Sequence, residues 1–337
     1  MKRIILLAGV LLTSILFGSC SGELDIPKKG NMGSVEDVYK TDQDAEAAIA
    51  ACYLDLKVLY TPVKSIDNLL SDDLWCGGEA RNDNAPREDI GAYIHSTTNE
   101  FIQSLYERLY QMIYHSNLVI EKMENVETPI KKRDIAEAYF FRGFAHFYLG
   151  TYFGTAPVVD HLLGVDEYHQ TNGSKETLFA QAEDDLRKAI GSEALPSKEF
   201  ADKNVRICKE TASAYLGKVL VFSGKYSDAA AVLKGVIDSG KYGLWTGEYN
   251  YLLHQPTDYC EENILEWNAP LDRTKPTAKM SDLSEYFNLR PAFYEPLPGE
   301  LGLVNNGYGF YNPTKNLYDA FVAEEGEDGF RLNQVIK

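Results

Sequence analysis

One segment of the sequence is apolar on all sides of a helix and constrains the fold more than any other. A helical pattern runs from about Arg133 to Leu149, and its apolar residues fall on every face: Ile135, Ala136, Ala138, Tyr139, Phe140, Phe141, Phe144, Ala145, Phe147, Tyr148 and Leu149. Such a helix must be covered by neighbours on most of its surface, and at about 15 residues it is too short to span a membrane. The segment is therefore predicted to be the central helix of a soluble bundle.

The end of this helix and its polar residues carry further predictions. Gly150 and Gly154 are expected to break the helix, and Pro157 cannot resume it because proline lacks a backbone N–H. We interpret Arg142 as the one charge inside the helix. Because a buried cation needs a partner, Arg142 is expected to pair with an acid on a neighbouring helix or to donate to backbone carbonyls. His146 is interpreted as a buried, hydrogen-bonded imidazole and not as a catalytic base.

The composition indicates a strongly acidic globular chain. Its 337 residues are 45% hydrophobic and 25% charged, with a formal net charge of −17. This charge argues against binding to nucleic-acid phosphates and, more weakly, against a polyanionic ligand. Cys52, Cys76, Cys208 and Cys260 form no CxxC pair and lie at no metal-binding spacing. The sequence thus indicates no metal and no cofactor, and it favours buried free thiols over a disulfide.

The first residues have the features of a lipoprotein signal. Two basic residues precede an apolar run that ends at Phe17, and small residues then lead to Cys20. This pattern predicts a signal peptide over residues 1–19, acylation of the Cys20 thiol and a polar tether over residues 20–34. Acyl chains would anchor the mature protein without a spanning helix. The alternative is a plain secretory signal that is cleaved near Ser19.

Helical periodicity recurs through the middle of the chain. Amphipathic patterns predict helices over Asp42–Leu59, Thr98–Val126 and Asn172–Ile190. Between the first two, Thr61–Ser96 is rich in Asn, Asp, Gly and Pro and is predicted to be irregular. Within Ile207–Leu244, small and aromatic residues have the spacing of a tetratricopeptide repeat, in which two antiparallel helices pack closely.

These elements predict a mostly α-helical fold with little strand. The scaffold over residues 35–245 is expected to be an α-α superhelix of tetratricopeptide-like helix pairs. Residues 246–337 are rich in Tyr, Trp, Pro, Asn and Gly and lack a long helical period. They are predicted to form an irregular, loop-rich portion in which a ligand binds.

Two groups of residues are similar to the signatures of a known family. In the central helix and the turn after it, they are Arg133, Ala136-Glu137-Ala138, Phe141-Arg142, Tyr148-Leu149, Tyr152-Phe153-Gly154 and Pro157-Val158. Near the end of the chain, they are Gly307-Tyr308-Gly309-Phe310, Pro313-Thr314, Leu317, Asp319-Ala320-Phe321 and Arg331-Leu332. With these residues the chain resembles the SusD/RagB family of outer-membrane, nutrient-binding lipoproteins of the Bacteroidetes. Glu262–Trp267 also resembles the short strand that family members have after their repeats.

The resemblance implies a binding protein and not an enzyme. It implies a glycan ligand, with an oligopeptide as the alternative, and delivery of that ligand to a SusC-type TonB-dependent outer-membrane transporter. It also implies that the lipid anchor attaches the protein to the outer membrane, with the protein facing outward. Because family members run substantially past the position of Lys337, a C-terminally shortened chain is expected.

A sugar site needs flat aromatic surfaces with polar side chains beside them. Two regions that are predicted to be irregular offer such residues. The candidate ligand contacts are Asp72, Asp73 and Trp75 in the first region, and Tyr251, Tyr286 and Tyr294 in the second. Trp267 lies in the expected strand and is equally compatible with the core and with the surface.

Two other kinds of function stay open. An envelope glycosidase would need a pair of carboxylates, and Glu261, Glu262 and Glu266 form the only close acidic cluster of residues 246–309. A purely structural repeat protein would only bridge other proteins. Because the sequence has no GxSxG, HExxH or phosphate-binding glycine loop, ligand binding is favoured over catalysis.

Overall fold

The chain is built mainly from α-helices, which confirms the predicted fold class. The computed structural model describes residues 39–123, 128–199, 206–251, 257–266 and 307–335. The elements below lie in the compact unit Thr41–Lys337, which is distinct from Met1–Lys40. The predicted division near residue 245 stays a prediction.

Nine helices and two strands follow one another in the described residues. In chain order they are α1 (Asp42–Leu70), β1 (Leu74–Gly77), α2 (Ala85–Gly91), α3 (Glu100–Met123), α4 (Pro129–Tyr152), α5 (Lys175–Gly191), α6 (Lys209–Phe222), α7 (Tyr226–Asp238), β2 (Phe310–Pro313), α8 (Lys315–Glu325) and α9 (Phe330–Val335). Short 3₁₀ turns lie at Val165–Glu167 and Tyr249–Tyr251. The two strands pair antiparallel.

Helix α4 is the centre of the bundle, and α1, α3 and α5 pack around it. It begins at Pro129, earlier than predicted, because the Thr128 hydroxyl accepts a hydrogen bond from the backbone N–H of Lys131. The prediction that Gly150 breaks this helix is wrong, since the helix continues to Tyr152. It then ends through Gly154, whose φ of +72° is a conformation that glycine adopts readily.

Arg142 is not the one charge inside α4. Asp134 and Glu137 on the same helix are also fully buried, at 0% exposure each. They bind Arg206, which lies just before α6. The sequence pattern missed them because their partner Arg206 lies far along the chain.

Helix α1 is longer than its sequence pattern predicts. The predicted irregular stretch Thr61–Ser96 is helical up to Leu70, with Pro62 inside the helix, and it also contains β1 and α2. The helix persists past the proline because Ile66 and Leu69 continue its buried face. The start of α1 has a capping box, in which the side chains of Thr41 and Asp44 bind each other's backbone N–H.

Helices α6 and α7 form the predicted tetratricopeptide-like pair. A Cβ at Gly217 would lie 2.4 Å from the Leu233 side chain, so this glycine permits the close approach of the two helices. The turn between them uses Gly224 at a φ of +73°. Cys208 is the N-cap of α6, and its Sγ accepts from the backbone N–H of Thr211.

The contact between α4 and α5 leads to a first prediction. A Cβ at Gly150 would lie 2.7 Å from the ring of Phe179, which is itself held against Phe147. We expect Gly150→Ala to destabilise the protein by about 1–2 kcal/mol, because the clash exceeds the gain in helix propensity. The matched control is Gly235→Ala in α7, where a Cβ meets nothing within 4 Å. Gly235→Ala should stabilise the protein by about 0.5–1 kcal/mol. Urea unfolding measures the change in the free energy of unfolding for each variant, and changes of the same sign would contradict the prediction.

Candidate functional site

The two strands form a ribbon that carries an exposed tryptophan. Trp75 pairs with Asn312 across the ribbon, and its side chain is 52% exposed. Thr314, directly after β2, donates from its backbone N–H to Asp73 O (2.7 Å) and from its hydroxyl to Asp72 O (2.8 Å). These bonds use the main chain of the two aspartates, whose side chains are exposed and precede Trp75 closely in the sequence. An exposed indole thus follows two exposed carboxylates along the chain.

Asn312 adds an amide to this surface. Its Nδ2 donates to the carbonyl oxygen of Gly309 at 2.8 Å, and Oδ1 has no hydrogen-bond partner within the described part of the chain. Gly77 makes room for the amide, since a Cβ there would lie 2.2 Å from Nδ2 and its φ is +72°. The ribbon therefore presents an indole and a hydrogen-bond acceptor directly opposite each other.

The other face of the ribbon rests on α1, α2 and α3. The guanidinium of Arg87 lies between the rings of Phe101 and Phe310, at 4.7 and 4.8 Å from their centroids. The hydroxyl of Tyr311 accepts from Arg87 Nε at 2.9 Å and shares a 2.7 Å hydrogen bond with Ser65 Oγ. Contacts with three helices thus hold the strands in place.

A cleft of about 470 Å³ lies on the same side as these supporting contacts. It contains both apolar and charged side chains: Val58, Thr61, Pro62, Asn84, Arg87, Glu100, Phe101, Ser104 and Arg108. Arg87 is common to the cleft and to the support of the ribbon. The volume of this cleft is in the range of small-molecule sites.

The structure brings together three of the predicted ligand contacts, Asp72, Asp73 and Trp75. Tyr251 lies on a separate 3₁₀ turn and is 46% exposed; within the described residues, no ring or hydrogen-bond contact joins it to Trp75. Three other predicted positions, Cys20, Tyr286 and Tyr294, lie outside the described residues, as does Trp267.

Sequence reasoning missed Asn312, whereas Tyr308 belongs to the aromatic, loop-rich portion in which a ligand was expected to bind. Tyr308 is 46% exposed, and its ring centroid lies 6.2 Å from that of Phe310. The one available indication in the sequence was that Asn312 directly precedes Pro313-Thr314, which is one of the family-like pairs near the end of the chain. Its place opposite Trp75 depends on a strand pairing between distant parts of the chain, which periodicity cannot reveal.

Comparison with known proteins shows a similarity to one family. Residues 78–221 match a SusD-like family model, which is described as starch-binding and associating with the outer membrane. Over this segment the chain is similar to SusD-like proteins. A search of curated proteins gives no match.

Solved SusD-like structures share the fold. A laminarin-binding SusD-like protein is 25% identical, with a TM-score of 0.74 over 85% of this chain and 65% of that one. Surface glycan-binding protein A from Bacteroides thetaiotaomicron, in complex with laminarihexaose, is 20% identical, with a TM-score of 0.71 over 85% and 62%. A SusD superfamily protein from Bacteroides vulgatus ATCC 8482 is 22% identical, with a TM-score of 0.69 over 86% and 59%. The chain thus spans less than two thirds of the length of each of these relatives.

Within the residues described, Arg142 makes structural contacts only. It binds both carboxylate oxygens of Asp185 on α5, at 2.9 and 2.6 Å. Its Nη1 donates to Asn117 Oδ1 (2.8 Å) and to the main-chain carbonyl of Asp160. The sequence left the partner open between an acid and a carbonyl, and the structure has both.

His146 and Pro157 belong to the same buried cluster. His146 Nδ1 donates to the Arg142 carbonyl (3.0 Å), and Nε2 accepts from the Val159 N–H (3.2 Å). Burial lowers the pKa of His146 to about 4, so the ring is neutral at pH 7. Tyr110 donates to the Pro157 carbonyl at 2.7 Å. These contacts hold the turn after α4 in place and use both ring nitrogens of His146.

The acidic cluster considered for catalysis also makes structural contacts. Glu262 accepts from the backbone N–H of Trp245 at 2.7 Å, and Glu266 accepts from that of Tyr259 at 2.6 Å. The expected strand at Glu262–Trp267 is not formed at residues 262–266, where the chain makes turns and bends. These carboxylates stabilise a compact loop.

Two kinds of feature are absent from the described residues. No group of three or more His, Cys, Asp or Glu side chains among them is placed to hold a metal ion. None of the helices found there combines the length and the apolar character that crossing a membrane requires. Of the cysteines, burial raises the pKa of Cys76 in β1 to about 11, so this thiol stays protonated at neutral pH.

Proposed function

We propose that this protein binds a neutral glycan on the surface formed by Trp75 and Asn312. The observation that carries the proposal is the exposed indole of Trp75, placed on a supported strand opposite an amide oxygen without a partner in the described residues. Sugar rings stack their C–H faces on flat aromatic groups, and their hydroxyls donate to amide and carboxylate oxygens. Laminarin and starch are the first ligands to test, since they are named for a similar structure and for the family.

The carboxylates that precede Trp75 favour a neutral ligand. Asp72 and Asp73 are both exposed and accept hydrogen bonds only, so they suit sugar hydroxyls. They would repel a uronate or a sulfate, as would the net charge of −17. Tyr251, Tyr286 and Tyr294 remain candidate contacts for further sugar units.

The location and the partners are part of the same proposal. Acylation of Cys20 would anchor the protein to the outer membrane, with residues 1–19 removed and residues 20–34 as a tether. The outer-membrane association in the description of the family supports this location. Residues 35–245 would be the helical scaffold and residues 246–337 the start of the loop-rich binding portion. The bound glycan would pass to a SusC-type TonB-dependent transporter, the partner that the resemblance implies.

Binding without hydrolysis fits the contacts of the acidic residues. Glu262 and Glu266 are occupied by backbone N–H groups, so they are poor candidates for a catalytic pair. An oligopeptide is the alternative ligand, and the same experiment decides between the two.

The test is calorimetry on the purified chain with laminarin, starch and a set of oligopeptides. We expect Trp75→Ala to lower the affinity for the glycan that binds by about tenfold or more, because the stacking surface is lost. The matched control is Tyr114→Ala, since Tyr114 on α3 is 55% exposed and lies in a different part of the fold. The control should bind as the wild type does.

Three results would contradict the proposal. They are binding to peptides alone, release of reducing ends from the glycan, and equal affinities for the Trp75 and Tyr114 variants.

A further inference from the structure

Tyr311, in the second strand of the ribbon, has an unusual backbone conformation. Its φ is +59°, in the left-handed region. A bulky residue rarely occupies this region, because its Cβ crowds the backbone there. Such an outlier persists only where surrounding contacts hold it.

The left-handed residue changes which way the side chains of β2 point. Side chains of a regular strand alternate between its two faces, but the adjacent Phe310 and Tyr311 are both buried. Both rings also lie on the guanidinium of Arg87, at 4.8 and 5.8 Å. The next residue, Asn312, is half-buried and stands opposite Trp75. The conformation at Tyr311 therefore lets Phe310 and Tyr311 both face the helices while Asn312 stays paired with Trp75.

Two hydrogen bonds from separate helices hold this conformation. The Tyr311 hydroxyl accepts from Arg87 Nε on α2 and binds Ser65 Oγ on α1. The side chain is only 2% exposed, so both bonds are shielded from water and both helices are tied to the ribbon.

We propose that Tyr311 is a positioning residue for the glycan surface. It touches no ligand, and its hydroxyl holds the strained strand so that Asn312 and Trp75 face the same ligand. The inference rests on the proposed function for its effect on affinity, while the effect on the ribbon itself is independent of any ligand.

The test is Tyr311→Phe, which keeps the ring and removes both hydrogen bonds. We expect the affinity for laminarin, or for starch if that is the ligand, to fall by about tenfold, the effect of one to two buried hydrogen bonds. Hydrogen–deuterium exchange should accelerate at the Gly78 and Thr314 amides, which close the ribbon by donating to Gly309 O and Asp73 O. The amides of α4 should exchange as in the wild type.

The control separates positioning from a general loss of stability. Val219 in α6 is fully buried and lies in the helix pair 209–238. Val219→Ala should lower the melting temperature, yet keep the affinity and the slow exchange at Gly78 and Thr314. Equal losses of affinity in the two variants would overturn the proposal, and so would unchanged exchange at the ribbon in Tyr311→Phe.

The experiment also distinguishes this inference from the proposed function. If Trp75→Ala binds normally, the proposed site fails, and exchange at Gly78 and Thr314 alone decides whether Tyr311 holds the ribbon. If Trp75→Ala loses binding while Tyr311→Phe keeps both affinity and slow exchange, the inference about Tyr311 is wrong and the site stands.

Discussion

Replacing Arg142 by methionine should destabilise the protein by about 3–5 kcal/mol, the cost of removing one partner of a buried ion pair. Asp185 is fully buried and binds Arg142 through both carboxylate oxygens. Without the guanidinium, Asp185 would keep an uncompensated charge in the core, and the Asp160 carbonyl would lose its donor. Urea unfolding, followed by circular dichroism at pH 7, measures the change.

A surface ion pair on the same helix as Asp185 provides the control. Arg187 contacts Glu183 at 2.9 Å, one turn away, and its side chain is 48% exposed. Because exposed pairs contribute little, Arg187→Met should cost less than about 1 kcal/mol. The double variant Arg142→Met/Asp185→Leu should recover most of the lost stability, since apolar replacement of a whole buried pair is often neutral. If the two methionine variants were equally stable, Arg142 would not contribute to stability in the way that its buried contacts indicate.

The stability of the protein should fall in mild acid because of His146. Burial lowers the pKa of this ring from 6.5 to about 4. Between these two values the unfolded chain binds a proton that the folded chain excludes, so the free energy of unfolding decreases as pH falls. The loss is about 3 kcal/mol between pH 6.5 and pH 4. Asp185, Arg142 and Asp160 face the ring and contribute to this pKa.

The comparison of wild type with His146→Gln isolates this contribution. Several carboxylates also titrate in this pH range, and they change the stability of the protein in opposite directions. The pKa of buried Glu137 is raised, so its contribution to stability is lost as pH rises, whereas that of Glu183 is lowered, so its contribution is lost as pH falls. Both effects cancel in the difference between the two proteins. Urea unfolding from pH 4.5 to pH 7 should show a smaller slope for the variant, and parallel curves would exclude a role for the imidazole.

The sequence predicted the scaffold well because the signal was local. The apolar residues around the central helix were sufficient to place α4 at the core, and the small residues of the pair 209–238 were sufficient for a tetratricopeptide-like unit. The ends of the helices were predicted less well. Gly150 was taken as a helix breaker because nothing local shows the ring of Phe179 that requires a small residue there.

The candidate site was only partly predictable because it depends on contacts between distant residues. Asp72, Asp73 and Trp75 were proposed from residue type, from their neighbours and from the family resemblance, and they stay a prediction. Asn312 became visible only through the pairing of β1 with β2. In the same way, the sequence showed that Arg142 needs a partner but could not choose Asp185 among so many acidic residues. Long-range pairing is the information that a single sequence does not carry.

The turn after α4 is held through its main chain. Tyr110 binds the carbonyl of Pro157, Arg142 binds that of Asp160, and His146 accepts from the N–H of Val159. None of these bonds uses a side chain of the turn, so a change at the exposed residues Asp160 and His161 would remove only their surface contacts with each other and with Glu167. The shape of the turn depends instead on Tyr110, Arg142 and His146, which contact its main chain from α3 and α4. Relatives can therefore diversify this surface while they keep its shape.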